Sequence, residues 1–131
     1  MVRNMEKQAL LYSMYFKAEE RFLNHPVVPG FEPDIIIEFI QSGLNLASYY
    51  CRHSPNCNPL LQELFLRRVF FHLIDAIDHK GHSRIFRRIC IDHLHCPLLA
   101  LKKYYGDSDE GKRQLQSLQR NLLQIHHTSG F

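Results

Sequence analysis

Apolar residues recur at three- and four-residue spacing along almost the whole chain, the period that puts side chains on one face of an α-helix. Asn4 suits a helix cap, and Leu10, Leu11, Met14, Ala18 and Phe22 then mark the buried stripe of a first helix reaching about Asn24. His25-Pro26-Val27-Val28-Pro29-Gly30 breaks it, because two prolines and a glycine cannot continue a helix. Glu32-Pro33-Asp34 opens a second helix, since proline is tolerated in the first turn and acids favour the positive end of the dipole. Ile35, Ile36, Phe39, Ile40, Leu44 and Leu46 supply its buried face.

Pro55 ends that segment, and Asn58-Pro59 starts the next as a side-chain cap followed by proline at the first helical position. The third helix carries Leu61, Leu64, Phe65, Val69, Phe71, Leu73 and Ile77 on more than one side, which predicts a central place for it. Lys80-Gly81-His82 reads as a turn, and Ser83 caps a fourth helix reaching Leu94 or His95. Pro97 opens a short fifth helix that stops near Gly106. Asp107-Ser108-Asp109-Glu110 begins the last one, with Leu115, Leu118, Leu122 and Ile125 in a narrow stripe. No segment favours strands. The expected fold is all-α, a compact bundle or short solenoid of five to six helices.

Composition refines this picture only modestly. The 131 residues suit a single helical domain over 1–131, with 45% hydrophobic and 22% charged residues as in an ordinary globular protein. A formal charge of +3 is too small to signal a nucleic-acid partner, although nine histidines make the surface more basic on mild acidification. Met-Val-Arg-Asn-Met-Glu-Lys-Gln lacks the apolar run of a signal peptide, and no stretch approaches the ~20 apolar residues of a membrane span. The expectation is an intracellular protein, cytoplasmic or nuclear, with reduced thiols and no membrane partner. A secreted helical protein with two disulfides is the alternative.

The four cysteines fall in two similar stretches, Cys51-Arg-His-Ser-Pro-Asn-Cys57 before Asn58-Pro59-Leu60-Leu61, and Cys90-Ile-Asp-His-Leu-His-Cys96 before Pro97-Leu98-Leu99. The Pro-Leu-Leu tails mark two helix starts. The cysteines with their histidines form a candidate zinc site, because zinc takes about four Cys or His ligands, here Cys51, His53 and Cys57 with Cys90, His93 and Cys96, and with His95 nearby. Five-residue gaps are looser than a Cys-x-x-Cys knuckle, and free cysteines pack well as small core residues. Both readings stay open.

Asp34-Ile-Ile-Ile-Glu-Phe-Ile-Gln-Ser-Gly43-Leu-Asn45 resembles the second helix and following loop of an ankyrin repeat. Val69-Phe-Phe-His-Leu-Ile-Asp-Ala-Ile77-Asp78 echoes it, with Ile77 where the turn glycine would stand, and the two Pro-Leu pairs fall roughly where the family has Thr-Pro-Leu-His. That resemblance implies a binding module rather than an enzyme. Phe86-Arg-Arg-Ile-Cys90-Ile-Asp-His-Leu94 is similar to the elongin-binding box of SOCS-box proteins. It implies that Phe86 and Cys90, supported by Leu94, fill a pocket on the partner of a ubiquitin-ligase adaptor. The same residues also make the buried stripe of an ordinary amphipathic helix.

Enzyme signatures are missing: there is no phosphate-cradling glycine loop, no Gly-x-Ser-x-Gly elbow and no His-Glu-x-x-His helix. His79 and His82 with Asp75 and Asp78 read as a solvated helix end, and as an acid–base or metal centre only if they converge. Arg84, Arg87 and Arg88 share one face of the fourth helix and, with Tyr104-Tyr105, make a candidate nucleic-acid surface. The sequence therefore predicts a non-catalytic protein–protein interaction module, an adaptor, inhibitor or accessory subunit without a cofactor. Leu115, Leu118 and Leu122 are its candidate face for a partner or a second copy. The alternative is a zinc-stabilised domain that regulates nucleic acid or adapts a ubiquitin ligase.

Overall fold

A computed structural model of the chain describes residues 2–24 and 32–129, with side chains over 5–24 and 33–125. Six helices are present and no strand occurs among the described residues: α1 (Val2–Leu23), α2 (Glu32–Tyr49), α3 (Pro59–Asp78), α4 (Arg84–His93), α5 (His95–Tyr105) and α6 (Asp109–Ser129). None of these helices is long and apolar enough to cross a membrane. The chain forms two compact units, Met1–Val69 and Phe70–Phe131, and α3 contributes its first half to one and its second half to the other. The expected break at residues 25–30 lies outside the described residues.

In the first unit α1 packs along α2, and aromatic rings fill the seam. Phe22 stacks on Phe39 with centroids 4.5 Å apart, Tyr15 lies over Phe39 at 5.9 Å, and Phe65 of α3 meets Tyr15 edge-on at 5.7 Å. Such offset and edge-to-face pairs add to plain area burial, which gives the Phe- and Tyr-rich composition its structural use. The inward face of α1 differs from the expected one. Tyr15, Ala18, Glu19 and Phe22 are buried, whereas Leu10 and Met14 are 60% and 49% exposed. Residues 8, 11, 12, 15, 18, 19 and 22 form the inward stripe, rotated from the one that leucine and methionine suggest, because a helix turns its best-packing side inward and tolerates exposed leucines.

The segment with the ankyrin-like spelling runs inside α2, so Gly43 sits within a helix and not in a turn. Its lack of a side chain has a packing reason: a Cβ there would collide with Val69 Cγ2 and lie 3.1 Å from Tyr15 Cε1. Ile77 is likewise helical and buried, in the last turn of α3. The start of α3 follows the expected chemistry. Asn58 Oδ1 accepts the Leu61 N–H at 3.2 Å, and Pro59 is the first helical residue. At the other end of the first unit, α1 begins at Val2, which puts Asn4 inside the helix and not at its cap.

In the second unit Phe70, Leu73, Ile77, Phe86, Leu101 and Leu118 are the large buried side chains, with α4 packed on α5 and α5 on α6. Ser83 Oγ accepts the Phe86 N–H at 3.1 Å and caps α4 as expected. Helix α5 begins at His95, two residues before Pro97, whose missing N–H is harmless in a first turn. Gly106, at φ 63° and ψ −150°, ends α5 in a conformation open only to glycine. Ser108 Oγ then accepts the Gly111 N–H at 3.0 Å to start α6.

Candidate interaction surface

The leucine stripe of α6 turns inward. Leu118 is fully buried, Ile125 is buried, and Leu115 and Leu122 are half-buried, so this face belongs to the core of its own unit. The same holds for Phe86 and Cys90 of α4 and for Leu94 just after it, all three buried. In this conformation they offer no surface to a partner's pocket.

The six candidate zinc ligands are scattered by environment. Cys51 is half-buried, and His53 and Cys57 are exposed, in a loop stitched by Ser54 N–H to the Cys51 carbonyl and Asn58 N–H to the Tyr50 carbonyl, each at 3.0 Å. Cys90 is in the core, whereas His93 and Cys96 are half-exposed. No group of three or more His, Cys, Asp or Glu side chains is placed to hold a metal among the described residues, and all four cysteines are unpaired. Burial pushes the Cys90 thiol from its ordinary 9.0 up to about 12. An unfolded chain therefore loses this proton near pH 9 while the native one keeps it. The associated stability is complete below pH 9 and falls by about 1.4 kcal/mol per pH unit from there towards about 12. Denaturant titrations at graded pH should show Cys90→Ala with a shallower alkaline decline than the parent, and equal slopes would contradict this.

The three arginines of α4 separate. Arg84 and Arg88 are exposed, and Arg88 pairs with Asp92 at 3.5 Å, but Arg87 turns in and its Nε donates to the Ile77 carbonyl at 2.7 Å. Arg87 thus closes the carbonyl end of α3 and leaves the shared basic face. Tyr104 and Tyr105 are half-buried. In the His79–His82 turn His79 Nδ1 accepts the Gly81 N–H at 3.0 Å, the His79 ring lies 4.7 Å from that of His82, His82 in turn lies 4.9 Å from the Phe86 ring, and Asp75 and Asp78 are exposed.

A different surface emerges in the first unit. Leu60 and Leu64 of α3 are 78% and 51% exposed, although Leu64 is expected in the core. They stand one helical turn apart, with Arg68 one turn further along the same face. The Arg68 guanidinium lies 5.4 Å from the ring centroid of Phe16, itself 44% exposed, and Phe16 stacks on Tyr12 at 6.0 Å. The ridge Leu60–Leu64–Arg68–Phe16 is anchored from below. Arg68 donates from Nε at 2.7 Å and from a terminal nitrogen at 2.6 Å to the two oxygens of Glu19, a bidentate pair on a buried carboxylate. Tyr15 also donates its hydroxyl to Glu19, at 2.7 Å. Burial and that bond push the Tyr15 phenol well above its ordinary range, and burial, with the 2.7 Å contact to Tyr50, raises Tyr12 to about 12. None of this was legible from spacing alone, because Glu19 and Arg68 are 49 positions apart.

The fold is all-α, and this surface is a partly apolar outer ridge braced by the Arg68–Glu19 pair. No protein-family model, curated protein or solved structure matches the chain.

Proposed function

We propose that the chain is a small helical protein–protein interaction module, an adaptor, inhibitor or accessory subunit, that docks its partner on the Leu60–Leu64–Phe16 ridge. The observation that carries this reading is the exposure of Leu60 and Leu64 beside the bidentate pair of Arg68 with the buried Glu19 carboxylate, which ties their helix to α1. Covering one such leucine releases roughly 1.5–3 kcal/mol before ordering costs, the scale on which a few residues dominate an interface. A preorganised ridge also loses little conformational entropy on binding. The four unpaired cysteines accord with work in a reducing compartment.

The test is affinity purification of the tagged chain. The double variant Leu60→Asp and Leu64→Asp is expected to lose the co-purifying protein while its helical circular dichroism stays at the parent level, because both side chains are outside the core. If the partner is a second copy, sedimentation will register the loss instead. Leu10→Asp with Met14→Asp, on another face of α1, should leave association intact. Retention of the same partner by the Leu60–Leu64 variant would refute the docking face.

A further inference from the structure

We propose that a cavity at the C-terminal end of α2 binds a small organic monoanion, a carboxylate with a compact apolar body. The inference is independent of the docking ridge. It rests on a cavity of about 390 Å³ lined entirely by residues of the first unit. That volume suits a ligand of small-metabolite size.

Three backbone segments build it. Lys7 and Leu11 are one turn apart on α1, and Asn45, Ser48 and Tyr49 occupy positions i, i+3 and i+4 in the last turns of α2. The loop after α2 folds back at the same end. The Asn58 N–H bonds the Tyr50 carbonyl at 3.0 Å, and Ser54 Oγ accepts the Asn56 N–H at 3.1 Å, a turn that sets Pro55 and Asn56 in the wall.

The second observation is that the polar side chains there have no other employment. Lys7, Asn45, Ser48 and Asn56 all line the cavity, and none of their side chains makes a hydrogen bond or ion pair among the described residues. Polar neighbours just outside it are committed to the fold. Gln8 donates to the Tyr50 hydroxyl at 3.2 Å, and Asn58 Oδ1 caps α3. A cation, two amides and a hydroxyl are thus left around one hollow, the few polar groups that orient a ligand in a pocket.

Charge sets the sign of that ligand. Lys7 is the one charged residue in the lining, so an anion meets a single positive charge and no carboxylate. The end of α2 does not oppose it, because its last carbonyls are already satisfied. Those of Ala47, Ser48 and Tyr49 accept the Tyr50 N–H, the Cys51 N–H and the Ser54 hydroxyl at 3.0, 3.1 and 2.7 Å. One cation matches a carboxylate. A phosphate dianion calls for several basic groups or the free N–H groups of a helix N-terminus, and neither is present in this lining. Asn45, Ser48 and Asn56 supply the remaining donors, and Leu11 and Pro55 cover the apolar body.

The test titrates phenylacetate into the full, isotope-labelled chain and follows the side-chain amide signals of Asn45 and Asn56 by nuclear magnetic resonance. Saturable shifts are expected with a Kd of about 1 mM, as befits a ligand of this size, while Asn24 beyond the other end of α1 stays unmoved. The neutral isostere phenylacetamide should bind at least about tenfold more weakly, and phenyl phosphate no more tightly than phenylacetate. Lys7→Gln should weaken phenylacetate at least about tenfold and Ser48→Asp should abolish its binding, with helical circular dichroism unchanged because both residues are exposed. Equal binding of phenylacetamide, undiminished binding by Lys7→Gln, or no saturation at about ten times the expected Kd would overturn the proposal. Markedly tighter binding of phenyl phosphate would overturn the assignment to a monoanion.

Discussion

Replacing Arg68 by alanine is expected to cost about 3 kcal/mol of stability, more than an ordinary partly exposed arginine contributes. The reason lies in what remains. Glu19 is 6% exposed, and without the guanidinium its carboxylate loses its bidentate cation in a seam of aromatic rings, although the Tyr15 hydroxyl still donates to it at 2.7 Å. A buried charge stripped of its counter-ion costs roughly 3–5 kcal/mol, and the 37% exposure of the Arg68 side chain places this case near the lower end. The cation also lies over two rings, 5.7 Å from Tyr15 and 5.4 Å from Phe16, so alanine removes packing as well as charge. Denaturant unfolding measures the loss. The double variant Arg68→Ala with Glu19→Gln should recover part of it, because the neutral amide is cheaper to bury than the carboxylate. A loss of less than about 1 kcal/mol in Arg68→Ala would mean that the pair is only a surface contact. Arg68→Lys should fall between, since an ammonium cannot reproduce the fork that meets both carboxylate oxygens.

Leu118→Asp is expected to unfold the second unit, with a large fall in helical circular dichroism. Leu118 is among the largest fully buried side chains, on the face of α6 that packs against α5. A carboxylate there loses the leucine's contacts and also leaves water without a partner, a combined cost beyond what a marginally stable unit tolerates. Leu118→Ala should be milder, at about 3 kcal/mol for a buried leucine truncated to a cavity. On the same helix Leu123 is 65% exposed, and Leu123→Asp should change stability by no more than about 0.5 kcal/mol. If Leu118→Asp kept full helicity but lost an association, the α6 stripe would be a docking face after all. The contrast between Leu118 and Leu123 tests the observed side of the helix directly.

Both expectations depend on which face of a helix turns inward, and that is where reading the sequence succeeds unevenly. For α6 the stripe Leu115–Leu118–Leu122–Ile125 was legible as a stripe, because polar residues occupy nearly all the remaining positions, but its leucines are expected to meet a partner and instead turn into their own unit. For α1 it was not. Leucine, methionine and aromatic residues surround that helix, so Leu10 and Met14 compete with Tyr12 and Tyr15 for the inward side, and only the partner helices break the tie. Glu19 counts as polar in any hydrophobicity pattern, yet it is buried because Arg68 neutralises it from α3. Leu64 shows the converse, an apolar residue left outside because Phe65 and Val69 already fill the inward face.

By itself the sequence determined the helices and where most of them begin and end. Those features are local: the 3.6-residue period, the caps at Asn58 and Ser83, the stop at Gly106 and the proline at the start of α3 each act within a few residues of backbone. Tertiary structure alone decided the inward side of α1, the burial of Glu19 under Arg68, the exposed Leu60–Leu64 ridge, and the division of the chain into two units within α3. The energies behind those features come from groups tens of residues apart, so no local pattern carries them.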